Sequence, residues 1–422
     1  MVYKEKNGIG PVVKKASSIF IAFVLLLPAS SDGETEIFGR ARLEGAWETT
    51  SGTVQKNEQN IDVEIKSYLG EHISVKAFLR GLYETELEED IHSEGDVREL
   101  YIDYSGDNFK ARLGRQQVVW GKTDGLKLLD LINPQDFREF ILDDFIDSRI
   151  PLWMVRGDIY VGDDTLQLLI IPDYRPNDIA RSGDRFEPAY LKSIRALPLI
   201  HAEEEEPGGT LADREYGIRY SGFARGWDYT LNYFHSWEDN PLFFRETIGG
   251  NPAIVRRYKE SDMYGGSFSN AFGSFVIRGE SAYNRGRYFS TADPLDADGQ
   301  VKKDEVRGAI GIDYTKGDWL ISGQVFESYI RDYDDGIVFD EASTTLSLLV
   351  NVKFLNEMLE LKLLDIYGTK DKDNLARLSA VYSLTDRWKV HLGGAVFSGP
   401  DDSFLGQFDE ADRAELEITC NY

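Results

Sequence analysis

From Glu36 onward, apolar and polar residues alternate with a period of two rather than the 3.6-residue period of amphipathic helices. In Ile37–Trp47 the odd positions are Ile37, Gly39, Ala41, Leu43, Gly45 and Trp47, with Arg40, Arg42 and Glu44 between them. Ile61, Val63 and Ile65 alternate with Asp62, Glu64 and Lys66, and Ile73, Val75, Ala77 and Leu79 with Ser74, Lys76 and Arg80. Successive side chains of a strand point to opposite faces, so each run has one apolar and one polar face. About eighteen segments of roughly ten residues show the pattern, the length a tilted strand needs to cross a bilayer. They begin near residues 37, 60, 72, 96, 108, 153, 164, 213, 226, 258, 273, 304, 318, 344, 358, 375, 387 and 412.

The connections alternate in length. Short ones include Gly70-Glu71, 105–108, 162–164, 315–318 and 385–387; long polar stretches occupy 86–95, 120–151, 172–212, 238–257, 285–303, 330–342 and 399–411. Short turns at one rim and longer loops at the other are the asymmetry of transmembrane barrels. The pattern predicts an all-β fold: one antiparallel transmembrane β-barrel over residues 32–422, with about 18 strands (16–18). Aromatic residues bracket the short turns: Tyr104 with Phe109, Tyr220 with Trp227, Tyr314 with Trp319, and Tyr382 with Trp388. Their repetition predicts an aromatic ring at one membrane–water interface. The last strand alternates Leu416, Ile418, Cys420 and Tyr422 with Glu415, Glu417, Thr419 and Asn421. It resembles the terminal strand of Gram-negative outer-membrane proteins, which implies the barrel-assembly machinery as a partner.

Residues 1–31 read as an export signal: Lys4, Lys6, Lys14 and Lys15, then the apolar run Ile19–Leu27, then small residues at Ala29, Ser30 and Ser31. Its removal takes away four lysines and Glu5, so the formal charge moves from -26 to about -29. That charge argues against nucleic acid as a partner. A single cysteine excludes an internal disulfide framework.

Strand parity turns Arg40, Arg42, Lys66, Lys76, Arg80, Lys110, Arg112, Arg156, Arg219, Arg278, Lys353, Arg377 and Lys389 inward, against a slightly smaller set of acids. The wall is therefore expected to be mixed and slightly basic, favouring anionic solutes. Glu415 and Glu417 are expected to neutralise Arg40 and Arg42 across the closing seam. The excess acid falls in loops, at 86–90, 203–206, 332–335 and 401–402. Such runs suit solvent, or divalent ions bridging to lipopolysaccharide phosphates.

One segment breaks the alternation. In Asp130-Leu-Ile-Asn-Pro-Gln-Asp-Phe-Arg-Glu-Phe-Ile-Leu-Asp143, Asn133 suits a helix cap and Pro134 a first turn. Phe137, Phe140, Ile141 and Phe145 share one helical face. A short helix over about 134–146 is expected in the third outer loop. Folded inward, this 120–151 loop would narrow a channel with Asp124, Asp130, Asn133, Asp136, Arg138, Glu139 and Asp143. The run Gly114-Arg-Gln…Trp120-Gly-Lys-Thr-Asp-Gly…Asp130…Ile132-Asn-Pro-Gln-Asp-Phe137 resembles the signature of an uncharacterised family of Gram-negative outer-membrane barrels. That family is filed as a domain of unknown function, treated as porin-like and distantly similar to alginate-export barrels. The resemblance implies a fold more than a substrate.

Five histidines show no metal-ligand spacing, and neither a nucleophile elbow nor a phosphate-binding glycine loop occurs. An enzyme and a cofactor are not expected. The expected function is an outer-membrane channel for passive or weakly selective passage of small polar solutes. The alternatives are a scaffold or sheath around a partner complex, and a specific exporter of an anionic polysaccharide. The oligomeric state, including a homo-oligomer, is left open.

Overall fold

The structure is a computed structural model that describes residues 34–85, 91–123, 125–208 and 213–422. The expected export signal, the acidic run 86–90 and Asp124 lie outside these residues. Eighteen strands form one antiparallel sheet. They are β1 (Thr35–Glu48), β2 (Val54–Leu69), β3 (Ile73–Thr85), β4 (Ile91–Ser105), β5 (Phe109–Gln116), β6 (Leu152–Val161), β7 (Asp164–Ile171), β8 (Glu215–Ala224) and β9 (Trp227–Trp237). Then follow β10 (Glu260–Phe272), β11 (Phe275–Ser290), β12 (Gln300–Lys316), β13 (Trp319–Ile330), β14 (Ala342–Phe354), β15 (Leu359–Gly368), β16 (Asn374–Ser383), β17 (Trp388–Ser398) and β18 (Arg413–Asn421). Each of the eighteen starts expected from alternation falls inside a strand or within two residues of one. The ring closes where Arg40–Glu48 of β1 pairs antiparallel with β18, Arg40 opposite Asn421. Closure leaves no edge strand.

Connections of two to four residues alternate with longer ones around the ring. At the β8–β9 turn, Arg225 and Gly226 both take positive φ, 53° and 88°. That pair matches a tight hairpin whose twist suits the flanking strands. Large apolar side chains on alternate positions face outward, as with Leu113, Leu231, Ile310 and Leu392, each more than half exposed. Exposed aromatics, including Tyr104, Phe109, Trp227, Phe275, Trp319, Tyr382 and Trp388, flank the short turns.

The seam differs from expectation. In the ladder Glu417 stands opposite Glu44, although its charge also acts on Arg42 as expected. Arg40 instead pairs with Asp62 at 2.6 Å, Arg42 with Glu44 at 2.5 Å, and Glu415 with Arg413 at 2.6 Å. The stagger between first and last strands sets these partners, and parity alone cannot supply it.

The expected helix over 134–146 is also corrected. Asp136–Phe137 is a short strand, Phe140 has a φ of 54°, and the helix present is a single turn, Phe145–Ser148. The side chain of Asn133 caps nothing. Its Oδ1 accepts from the Val118 N–H at 2.8 Å, and its Nδ2 donates to the Ile150 carbonyl at 2.9 Å. Asn133 thus ties together the two ends of the connection between β5 and β6.

Candidate functional site

That connection, residues 117–151, follows β5, whose Gly114 lies close against β4. Gly114 has a φ of 140°, and a Cβ there would lie 2.1 Å from the Leu100 carbonyl oxygen, so only glycine fits. Val118, Trp120, Leu128, Leu129 and Ile132 then pack on Leu152, Met154, Leu169, Ile171, Phe234, Met263 and Ala282 of β6, β7, β9, β10 and β11. The wall is hollowed to take them. A Cβ on Gly217 would stand 2.7 Å from the Trp120 ring, and one on Gly265 2.5 Å from Leu129. The Trp120 Nε1–H donates to Gln167 Oε1 at 2.7 Å, which satisfies its one polar atom.

Further along, the segment reaches the other side of the ring. Leu142 joins Ile366, Leu375, Phe397, Leu405 and Phe408, with Phe140 and Ile141 against the same cluster. Asp147 meets Arg80 at 2.7 Å and Arg42 at 3.0 Å, Asp143 meets Lys56 at 3.2 Å, and Glu139 pairs with Arg413. Burial alone would raise the Asp143 and Asp147 carboxyls, but the facing cations outweigh it and hold both below the usual carboxylate range. Arg98 Nη2 donates to the carbonyls of Ile146, Asp147 and Arg149 at 3.2, 2.9 and 2.9 Å. It thereby closes the C-terminal end of the helical turn that carries Asp147. Within the segment, Asp130 pairs with Arg149 at 2.6 Å and Asp136 with Arg138 at 2.6 Å.

Among the residues singled out by parity, Arg40, Arg42 and Arg80 converge around Asp62 and Asp147. The others sit in separate local pairs. Lys76 bonds Glu64 and Glu99; Lys110 and Arg112 share Asp103; Arg156 meets Asp158; Arg278 meets Asp313. Lys66 lies over the Tyr68 ring, Arg219 donates to the Val119 carbonyl, and Arg377 stands 4.0 Å from Glu415. Sequence reasoning missed Lys56, Arg98, Arg115 and Arg413. Arg98 sits at a bulge where Phe78 and Leu79 face Glu99 and Val97, and a bulge re-aims a side chain against the local parity.

A second segment, between β7 and β8, also crosses. Asp178–Ile179 pairs in parallel with Asp136–Phe137, Phe186 packs on Phe397 and Phe408, and Arg185 meets Glu48 of β1 at 2.5 Å. Between the two segments and the wall formed by β1–β4 and β16–β18 lies a cavity of about 610 Å³. Among the described residues, ten arginines and Lys56 line it, against fourteen aspartates and glutamates. The slight basic excess expected from the strands is reversed here, because the crossing segments bring carboxylates that strand parity does not count.

Asp178 lines the cavity yet is crowded by protein. That desolvation, then the charges of Asp136 and Glu94, push its carboxyl up to about 6 despite Arg138 and Arg175. Between the free aspartate value of 3.8 and about 6, the folded chain binds a proton that the unfolded chain does not. The junction of the two segments therefore gains stability as pH falls through 6 and loses it above. Open-state current noise is expected to decrease from about pH 7.5 to about pH 5, and to be flat across that range in Asp178→Asn.

The backbone is similar to solved outer-membrane barrels. Acinetobacter baumannii OccAB1 matches with a TM-score of 0.52 at 11% identity, over 93% of this chain and 96% of that one. Pseudomonas aeruginosa OccK8 (OprE) matches with 0.54 at 11%, over 93% and 98%. Pseudomonas aeruginosa OccK2 (OpdF), in complex with glucuronate, matches with 0.52 at 11%, over 92% and 97%. No curated protein matches the sequence. A family model described as Protein of unknown function (DUF1302) matches residues 41–419.

Proposed function

The chain belongs to the DUF1302 family of proteins of unknown function, and from that premise we infer that it is an outer-membrane, porin-like channel for small polar solutes, narrowed by residues 117–151. The observation that carries this reading is one segment touching strands on opposite sides of a closed ring. It packs on Leu169, Phe234 and Met263 at one side and bonds Arg42, Arg80 and Arg413 at the other. A chain can do so only from within the ring. Barrels of 16–18 strands enclose an aqueous lumen unless something fills it. In this reading the apolar packing against β6–β11 fills one part, and passage follows the charged cavity beside β1–β4 and β16–β18. Residues 1–31 serve as the export signal, and the C-terminal strand addresses the assembly machinery.

The crossing segments weigh against a sheath around a partner, which needs an unobstructed bore. The solved barrels of similar backbone include one holding glucuronate, a small polar solute, which fits a lumen for molecules of that size. Liposomes carrying the refolded mature protein are expected to swell in isosmotic monosaccharide and to swell more slowly as sugars lengthen. Equal rates with protein-free liposomes would contradict the reading.

A further inference from the structure

The cavity's charges are layered by depth as well as mixed in sign. On the wall, the basic side chains of Arg42, Lys56, Arg80 and Arg413 are only 11, 8, 11 and 3% exposed. Each is bonded to at least two carboxylates: Arg42 to Glu44 and Asp147, Lys56 to Glu44 and Asp143, Arg80 to Asp62 and Asp147, Arg413 to Glu139 and Glu415. Their positive charge is already spent inside the wall. Among the lining residues that are exposed, Glu94, Asp144, Asp178 and Asp184 stand against Arg138, Arg181 and Arg185, of which Arg138 is paired with Asp136 and Arg185 with Glu48. Glu417 lines the same space and accepts from the Thr419 hydroxyl at 2.6 Å.

We propose that this cavity is a cation-preferring filter, so that the channel passes small solutes carrying an ammonium or other positive group in preference to anions. The proposal rests on the channel reading above. A narrow, low-dielectric passage amplifies the net charge of its lining, and among the described residues this lining carries fourteen carboxylates against eleven cations. The guanidinium groups act as structural counter-charges that hold the acidic segment in place. The acidic loop runs outside would add to the same preference at low salt.

The test is the reversal potential of the refolded mature protein in a planar bilayer under a KCl gradient. K⁺ is expected to permeate severalfold better than Cl⁻, and increasingly so as salt is lowered. The double change Asp144→Asn with Glu417→Gln is expected to bring the ratio closer to one, and Arg377→Gln to raise it. A conducting wild-type barrel that prefers Cl⁻, or a double variant with an unaltered ratio, overturns the filter while leaving the channel. A barrel that folds and inserts but conducts nothing overturns the channel and the filter with it. Should the double variant not fold, the sign of the wild-type potential still decides.

Discussion

Deletion of Asp136-Phe137-Arg138-Glu139-Phe140 raises single-channel conductance severalfold. These five residues join the two crossing segments through the pairing with Asp178–Ile179. They also anchor the tip on the far wall, through Glu139 with Arg413 and through Phe140. The Phe140 ring lies 4.6 Å from that of Phe408, 5.1 Å from that of Phe404 and 6.1 Å from that of Phe397. None of them belongs to the ring of eighteen strands, whose ladder is continuous without them. The expected product is a folded barrel with a wider and less charge-selective passage. A folded variant with wild-type conductance would show that current does not pass this segment.

Trp120→Ala detaches the first half of the same segment. The indole is fully buried, edge-on to Phe234 at 6.0 Å and 71°. Removing such a side chain from a packed core costs about 3–5 kcal/mol. The loss falls on the docking of 117–151 rather than on the strand ladder, since Gln167 keeps its bond to Asp158 at 2.7 Å. The variant is expected to run as a folded barrel on an unheated gel, to be cleaved within 117–151 by added protease, and to show a noisy open state. Trp120→Phe keeps most of the packing and leaves the buried Gln167 Oε1 without its donor, a loss of about 1–3 kcal/mol that is smaller than that of Trp120→Ala, and so is expected to stay more resistant. Protease resistance in Trp120→Ala would mean that the indole does not hold the segment.

The strands were legible in the chain because a barrel wall, apolar on one face and polar on the other, imposes a period of two that survives in each segment. Connection lengths were legible for the same reason, since turns at one rim stay short. What the wall receives from inside was not. Leu168-Leu169-Ile170-Ile171 is an unbroken apolar run, with Leu168 and Ile170 exposed outward while Leu169 and Ile171 are buried against Trp120 and its neighbours. That run was the available signal that this part of the wall is apolar on both faces. The helix over 134–146 was misread because Phe137, Phe140 and Phe145 have helical spacing but separate destinations. Phe137 sits at the junction of the crossing segments, Phe140 in the aromatic cluster on β17, and Phe145 beneath Lys127. Arg98 was hidden by a bulge, and Arg185 with Glu48 by a separation in sequence that no local pattern spans.

Current through single refolded molecules of the mature chain in a planar bilayer decides whether the barrel conducts past residues 117–151. Stable, ohmic unit steps in KCl that grow when residues 136–140 are deleted are the expected result. A barrel that inserts and resists heat as folded material, yet stays electrically silent with and without those residues, would contradict it.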